Sequence, residues 1–229
     1  MTKKLLTAAV LASLPLASMA YQPGDWIIRG GAATVEPDES SSTVKVGGSS
    51  IPDSGVGVDT DTQLGLTFTY MFADHLAVEL LAATPFKHDV VLQGSGLSDY
   101  APSGTTIASV EHLPPTLSLQ YFFMDGSSAW QPYAGIGINY FLVLDEELSS
   151  GAKSALGASN LNVDDSVGIA FQLGMDYAID DKWLVNIAVW NIDIETTATF
   201  TTGLEGSPKA KADIDIDPWV YMIGVGYKF

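Results

Sequence analysis

The chain has 229 residues and no cysteine, and its 27 acidic residues outnumber its 10 basic residues to give a formal net charge of −17. The lack of cysteine excludes a disulfide framework and thiol chemistry, and the acidic balance argues against nucleic acid as a partner because phosphate binding needs a basic surface. Although 47% of the residues are hydrophobic, no segment after the amino-terminal region approaches the roughly 18 consecutive apolar residues of a transmembrane helix.

The first 20 residues have the features of a secretory signal peptide. Two lysines precede an apolar run over residues 5–16, and a small-x-small triplet follows that ends at Ala20. A basic start, an apolar run too short to cross a bilayer and this triplet predict cleavage after Ala20. We therefore expect an exported protein whose mature part, residues 21–229, forms one domain.

Alternation of apolar and polar residues with a period of two predicts eight strands. The predicted strands cover residues 26–35, 62–71, 76–92, 115–123, 130–142, 167–177 and 183–200, and the last occupies the end of the chain, where the pattern is clearest over residues 219–229. Long and short connections alternate strictly between them, and the long acidic connection over residues 145–165 is expected to hold a short helix near residues 146–156. This alternation favours an all-β, eight-stranded antiparallel up-and-down transmembrane β-barrel with both termini on the periplasmic side, whereas a sandwich gives no reason for it.

The closing strand predicts a face turned to lipid. Every second residue from Trp219 through Tyr221, and on to Tyr227 and Phe229, is apolar or aromatic, with the aromatic rings at the two ends. Aromatic residues flanking an aliphatic middle are typical of a strand that crosses a membrane between two interfaces. We expect these four residues to face the membrane, and the barrel-assembly machinery to recognise the terminal Phe229.

Beyond Trp219 the usual pattern of a membrane strand is inverted. The outward parity continues into Asp217, Asp215 and Asp213, while the inward parity stays apolar, and the preceding strand behaves in the same way. The residues predicted to line the lumen are Trp190, Ile192, Ile194, Ile214, Ile216, Val220 and Met222. An apolar concave surface is the usual form of a ligand site, so one interpretation is a pocket or channel open to the outside. The alternative is that the same side chains fill the barrel as a dry core.

Three prolines predict a weak place in the barrel wall. Pro85 lies in an ascending strand, and Pro114 and Pro115 lie at a similar height in the descending strand beside it. Because proline cannot donate to a ladder, these residues suggest a lateral seam through which an apolar solute passes from the lumen into the membrane. Alternatively, they only end the ladders at the bases of the loops.

The remaining chemistry is sparse. His88 and His112 are expected near the external ends of neighbouring strands, where they could meet, but no HxH or HExxH spacing predicts a metal site. No GxSxG motif supports an esterase or acyltransferase, so no catalytic residue and no cofactor is predicted. Glu79 is expected to face inward and to pair with Arg29, as charges inside a small barrel usually do.

Six blocks of the sequence resemble the outer membrane protein W (OmpW) family. They are TQLGLTFTY at 62–70, VELLAATPF at 78–86, HLPPT at 112–116, PYAGIGINY at 132–140, WNIDIETT at 190–197 and DPWV at 217–220. The resemblance implies an eight-stranded barrel in the outer membrane of a Gram-negative cell, with a narrow hydrophobic channel that admits small hydrophobic molecules. It also implies that the block containing Trp190 belongs to the strand whose tryptophan faces the lumen, which favours the pocket over the dry core.

Two functions follow as expectations. The first is a porin-like channel or binding barrel for passive uptake of small hydrophobic solutes, with lateral exit into the membrane. The second is a structural or receptor barrel whose acidic loops bind cations, lipopolysaccharide or an external protein such as a toxin or a phage component, since some members of the family serve as receptors. In both cases the expected surroundings are outer-membrane lipid and lipopolysaccharide. The acidic segment 145–165 departs from the family pattern.

Overall fold

The computed structural model describes residues 21–125 and 127–229, and the observations below refer to those residues. The signal peptide predicted over residues 1–20 lies outside them. The elements in chain order are β1 Trp26–Glu36, β2 Ser40–Ser41, β3 Lys45–Val46, β4 Ser49–Ser50, β5 Ser54–Val58, β6 Asp61–Ala73, β7 Leu76–Ala83, β8 Phe86–Gly94, β9 Thr106–Leu113, β10 Thr116–Phe122, β11 Trp130–Leu148, α1 Ser150–Leu156, β12 Ser159–Val163, β13 Ser166–Ala178, β14 Trp183–Ile192, β15 Glu195–Thr201, β16 Lys209–Asp215 and β17 Trp219–Lys228. Within these two ranges, no helix has the length and apolar character needed to span a membrane.

Eight of the described strands form a closed antiparallel barrel. Their order is β10, β7, β6, β1, β17, β14, β13 and β11, and pairing between β10 and β11 closes the ring. The first and last strands are neighbours, with Ile27 opposite Lys228 and Glu36 opposite Trp219. Short turns follow β6, β10 and β13 at what we call the inner end, and the long connections lie at the outer end. The predicted eight-stranded barrel is therefore confirmed.

Beyond the outer end, the wall continues as two separate sheets that we call the outer extension. One consists of β5, β8, β9 and the far part of β11, and the other of β12, β15 and β16 with the short β3 and β4. Two strands predicted to be continuous are interrupted here, one between β7 and β8 at Pro85 and one between β14 and β15. The two sheets of the outer extension therefore face each other across an interior space and do not close into a single cylinder.

Two segments predicted to be loops contain regular structure. β9 lies inside the Gly/Ser/Pro-rich segment 93–112, and the acidic segment 145–165 contains the end of β11, α1 and β12. The expected helix is present but begins only at Ser150, because Leu148 still points inward as the last residue of β11. Ser149 caps α1 by accepting a hydrogen bond from the backbone of Ala152 at 3.0 Å. The acidic side chains of this segment point outward while its apolar side chains pack inside.

The outside of the barrel is an apolar band. Ile138 is 63% exposed, and Leu117 and Phe171 are each 57% exposed. Aromatic side chains ring the inner end, among them Trp26, Phe72, Tyr121, Phe123, Trp130, Tyr177, Trp183 and Phe229. Soluble monomers rarely expose a continuous apolar surface of this kind, whereas a bilayer covers it.

The aromatic residues of β17 fit this band. Trp219, Tyr221 and Phe229 are exposed on the outer surface. Tyr227 packs edge-on between Trp183 and Phe229, with ring centroids 5.0 and 4.7 Å away. All four therefore lie on the surface predicted to face lipid.

Candidate hydrophobic transport site

Side chains fill the lumen at the inner end. A buried cluster crosses the barrel there, formed by Tyr21, Ile27, Met71, Ala77, Phe122, Tyr133 and Leu184. Tyr133 fits because its partner across the ladder is Gly174, where any Cβ would collide with the phenol ring. This layer leaves the inner end of the barrel closed among the described residues.

A charged layer lies next along the axis, centred on Arg29. The guanidinium is fully buried and donates from Nε to Asp176 at 2.9 Å and from Nη1 to Glu79 at 3.1 Å. Nη2 forms a second ion pair with Asp176. Arg29 also donates to the hydroxyl of Thr69 at 2.6 Å and lies over the ring of Tyr133. The predicted pairing of Glu79 with Arg29 is confirmed, and Asp176 is a second carboxylate that the sequence reasoning missed.

Amides complete the hydrogen bonding of this layer. Gln172 donates to Glu79 at 2.8 Å and accepts from Gln120 at 2.9 Å. Asn186 donates to Asp176 at 2.8 Å, and the hydroxyl of Tyr21 donates to the same carboxylate at 2.7 Å. Because these carboxylates are buried and hydrogen-bonded on several sides, the layer is a rigid barrier across the lumen.

An apolar layer centred on Trp190 covers the charged one. Trp190 and Ile192 are each 1% exposed, and they pack with Ala188, Val220 and Met222 inside the barrel. All seven residues predicted to line the lumen do point inward, but they lie at two heights. Trp190, Ile192, Val220 and Met222 lie in this packed layer, whereas Ile194, Ile214 and Ile216 line an open space above it.

That space is an apolar cavity between the two sheets of the outer extension. Its volume is about 90 Å³, several times the roughly 10–15 Å³ that one water molecule needs. The walls include Val44, Val56, Leu92, Leu97, Ile107, Leu148, Leu156, Ile194, Ile214 and Ile216. A second cavity of about 180 Å³ shares Leu97, Leu156 and Phe200 with it. Together they form an apolar space over the closed barrel.

A seam interrupts the wall at the base of this cavity. The ladder between β7 and β10 ends with Leu81 opposite Thr116, and the ladder between β8 and β9 begins with Phe86 opposite His112. Residues 82–85 and 113–115 therefore face each other without ladder pairing, and we call these two segments the seam. They contain Pro85, Pro114 and Pro115, which have no N–H to donate.

Each edge of the seam is held by the strand behind it. On one side, the N–H of Thr84 donates to Leu64 at 2.9 Å. On the other, the N–H of Tyr140 donates to Pro115 at 3.0 Å, and the side chain of Asn139 donates to Pro114 at 3.0 Å. The edges are thus ordered, and only the bonds across the gap are missing.

Aromatic rings cover the seam from inside. Phe86 is 1% exposed and packs in the same buried cluster as Trp190. Its ring centroid lies 5.9 Å from that of His112, which lies 4.7 Å from that of Phe141. His88 stacks on His112 at 5.1 Å, so the two histidines do meet, as the sequence suggested. Both histidines also line the cavity.

The buried position of His112 predicts a pH-dependent stability. Burial, together with the neighbouring His88, lowers the pKa of His112 from 6.5 to about 3. Below pH 6.5 the unfolded chain binds a proton there and the folded chain does not, so the free energy of unfolding falls as the pH drops toward 3. We expect His112→Phe to reduce this loss between pH 7 and pH 5 by on the order of 1–2 kcal/mol. Urea unfolding of the barrel in lipid vesicles at the two pH values measures it, and equal losses in both proteins would contradict the prediction.

The described residues contain no candidate metal site. Among residues 21–125 and 127–229, no group of three or more His, Cys, Asp or Glu side chains is placed to hold a metal ion.

Most of the residues that line the cavity were not predicted from the sequence, because Val44, Val56, Leu97 and Leu156 lie in segments whose composition predicts long connections. Their signal is an isolated apolar residue in a polar stretch, which by itself does not show which surface it joins.

Comparisons with known proteins agree with this architecture. A model described as the OmpW family matches residues 22–229. Outer membrane protein W of Vibrio cholerae is 43% identical over 222 residues, which covers 96% of this chain and 96% of that protein. Outer membrane protein W of Escherichia coli is 43% identical over 229 residues, covering 99% and 100%. The crystal structure of the outer membrane protein OprG from Pseudomonas aeruginosa matches with a TM-score of 0.86 at 50% identity, covering 93% of this chain and 99% of that one.

Proposed function

Because this chain belongs to the OmpW family and is a β-barrel of the outer membrane, we propose that it takes up small hydrophobic molecules into the outer cavity and releases them sideways through the seam into the bilayer. The observation that carries the proposal is an apolar cavity that stands over a closed lumen and is lined by His112 and Phe141, two of the rings that cover the seam. A solute that enters the cavity meets the packed Trp190 layer and the Arg29 layer along the axis. The path of lowest free energy for an apolar molecule therefore leads sideways from the cavity into the bilayer.

The energetics support this direction. Crossing the Arg29 layer would require breaking buried ion pairs, which costs about 3–5 kcal/mol when one partner is lost. Moving between the cavity and the lipid keeps an apolar solute out of water throughout, and removal from water is worth about 25 cal/mol per Å² of apolar surface. Uptake then needs no external energy, because the bilayer is a favourable end point for such a molecule.

A charge placed in the cavity tests the proposal. Ile216 lines the cavity and is partly exposed, so Ile216→Asp should be tolerated by the fold. We expect it to slow transfer of naphthalene into liposomes containing the barrel by about tenfold or more, since a carboxylate in an apolar site costs several kcal/mol unless it is paired. The measurement is the rate of naphthalene transfer above that of protein-free liposomes, compared with transfer of glycerol.

Lys209→Ala is the matched control. It changes the net charge by the same amount and lies in β16, the strand that ends next to Ile216, but Lys209 is exposed on the outer surface. Transfer in this variant should equal that of the wild-type protein. Normal naphthalene transfer in Ile216→Asp would contradict the proposed uptake route and favour a receptor barrel, whose function would not depend on the cavity.

A further inference from the structure

Among the described residues that line the cavity, four have polar side chains. They are His88, His112, Thr196 and Lys211. The hydroxyl of Thr196 donates to the carbonyl of Asp164 at 2.6 Å, and the ammonium group of Lys211 pairs with Asp213 at 2.8 Å. Those two groups are therefore satisfied by the protein, and the histidines are the polar groups left to a ligand.

His88 presents an unused nitrogen. The residue is 3% exposed, and its Nδ1–H donates to the backbone carbonyl of Asp59 at 2.6 Å. A neutral imidazole that carries its hydrogen on Nδ1 has a lone pair on Nε2. Nε2 of His88 is buried and has no hydrogen-bond partner among the described residues, and the same holds for Nδ1 of His112. The carbonyl of Asp59 thus leaves Nε2 as the hydrogen-bond acceptor of His88, a residue that lines the cavity.

A buried acceptor without a partner is costly, about 1–3 kcal/mol. A ligand that donates a hydrogen bond removes that cost. Buried polar groups in proteins nearly always have a partner, so an unpaired acceptor on a residue that lines the apolar cavity indicates what a ligand would carry.

We propose that the molecules admitted to the cavity are neutral and mostly apolar, and carry one hydrogen-bond donor such as a hydroxyl, which binds Nε2 of His88 while the hydrocarbon part lies against Ile194 and Ile214. This inference rests on the proposed function and names its substrate class. Carboxylates are disfavoured, because the lysine among the described cavity residues, Lys211, is already paired with Asp213, and the chain carries a formal charge of −17. Pure hydrocarbons fit the walls but leave the acceptor unpaired.

Three probes of nearly the same shape test the proposal. 1-Naphthol donates a hydrogen bond, 1-methoxynaphthalene only accepts one, and naphthalene does neither. Binding to the barrel in lipid nanodiscs is measured by equilibrium dialysis, after subtraction of partitioning into protein-free nanodiscs. We expect 1-naphthol to bind about tenfold more tightly than the other two, which corresponds to one neutral hydrogen bond of roughly 1–1.5 kcal/mol.

Two variants connect the preference to one atom. His88→Phe keeps a ring that can stack on His112 but has no acceptor, and should bind all three probes equally. His88→Gln places an amide oxygen near the position of Nε2 and should keep part of the preference for 1-naphthol. Heat-modified migration on gels and circular dichroism confirm that both variants are folded, and the glutamine variant provides the test where the phenylalanine variant does not fold.

The outcomes separate this inference from the proposed function. If wild-type protein binds the three probes equally, or if His88→Phe and His88→Gln both keep the full preference for 1-naphthol, the role of His88 is overturned while uptake of apolar molecules stands. If 1-methoxynaphthalene binds as tightly as 1-naphthol, the acceptor assignment is overturned. If the wild-type protein binds none of the probes, both the inference and the proposed function fail.

Discussion

A disulfide across the seam should slow the transfer of naphthalene into liposomes by about tenfold or more. Extending the register in which Leu81 lies opposite Thr116 by two residues places Ala83 opposite Pro114, and directly opposed residues of an antiparallel pair are close enough for a disulfide. Cysteines at these two positions would join the edges where ladder bonds are missing. Since the chain has no cysteine of its own, the engineered pair has no competing partner.

The reduced form of the same double variant is the control for this experiment. It contains both substitutions, including the loss of Pro114, but leaves the edges unlinked. Addition of a reductant should restore transfer to near the wild-type rate, and the shift of the cross-linked barrel on a non-reducing gel reports how much disulfide has formed. Equal transfer by the oxidised and reduced forms would exclude lateral release at the seam and leave the cavity as a binding site only.

Arg29→Met should destabilise the barrel by about 3–5 kcal/mol. The substitution removes the cation that pairs with Glu79 and Asp176, both of which are buried in the lumen. It leaves two carboxylates without their counter-ion in a site that water does not reach. That loss is a large fraction of a typical folding stability of about 5–15 kcal/mol. The measurement is the free energy of unfolding in urea, followed by tryptophan fluorescence in lipid vesicles.

Two further variants identify the cause of the lost stability. Lys182→Met removes a cation from an exposed turn and should change stability by less than about 1 kcal/mol. A triple variant that combines Arg29→Met with Glu79→Gln and Asp176→Asn removes all three charges, and should recover much of the stability because no buried charge remains unpaired. If the single variant were as stable as the wild-type protein, the layer would not be the barrier we describe.

Sequence reasoning predicted the barrel well because its signals are local. Alternation along each strand, the turn residues between strands and the change from Trp219 to Asp217 all lie within short segments. The pairing of Arg29 with Glu79 could be predicted because both lie on inward parity in nearby strands. Asp176 is also on inward parity, but it lies far along the chain from Arg29, and only closure of the ring brings them together.

The cavity could not be predicted in the same way. Its walls combine residues from both sheets of the outer extension, and the split between those sheets leaves no mark in the hydrophobic pattern. Residues 106–113 alternate but lie next to a segment rich in Gly, Ser and Pro, and that composition predicts a loop where the structure has β9. The position of a residue along the barrel axis could not be predicted either. Trp190 and Ile194 both have inward parity, but Trp190 lies in the packed layer and Ile194 lines the cavity.

The pairing of β1 with β17 constrains how this protein reaches its final form. Ile27 and Lys228 are direct partners, so the ring closes between residues about 200 positions apart in the sequence. Such contacts have the greatest sequence separation available, and bringing them together carries a large loop-closure entropy that slows folding. A chain that lacks its last strand would keep two unpaired edges, which in lipid is very costly. Insertion of a closed barrel, without unpaired edges in lipid, therefore requires β17.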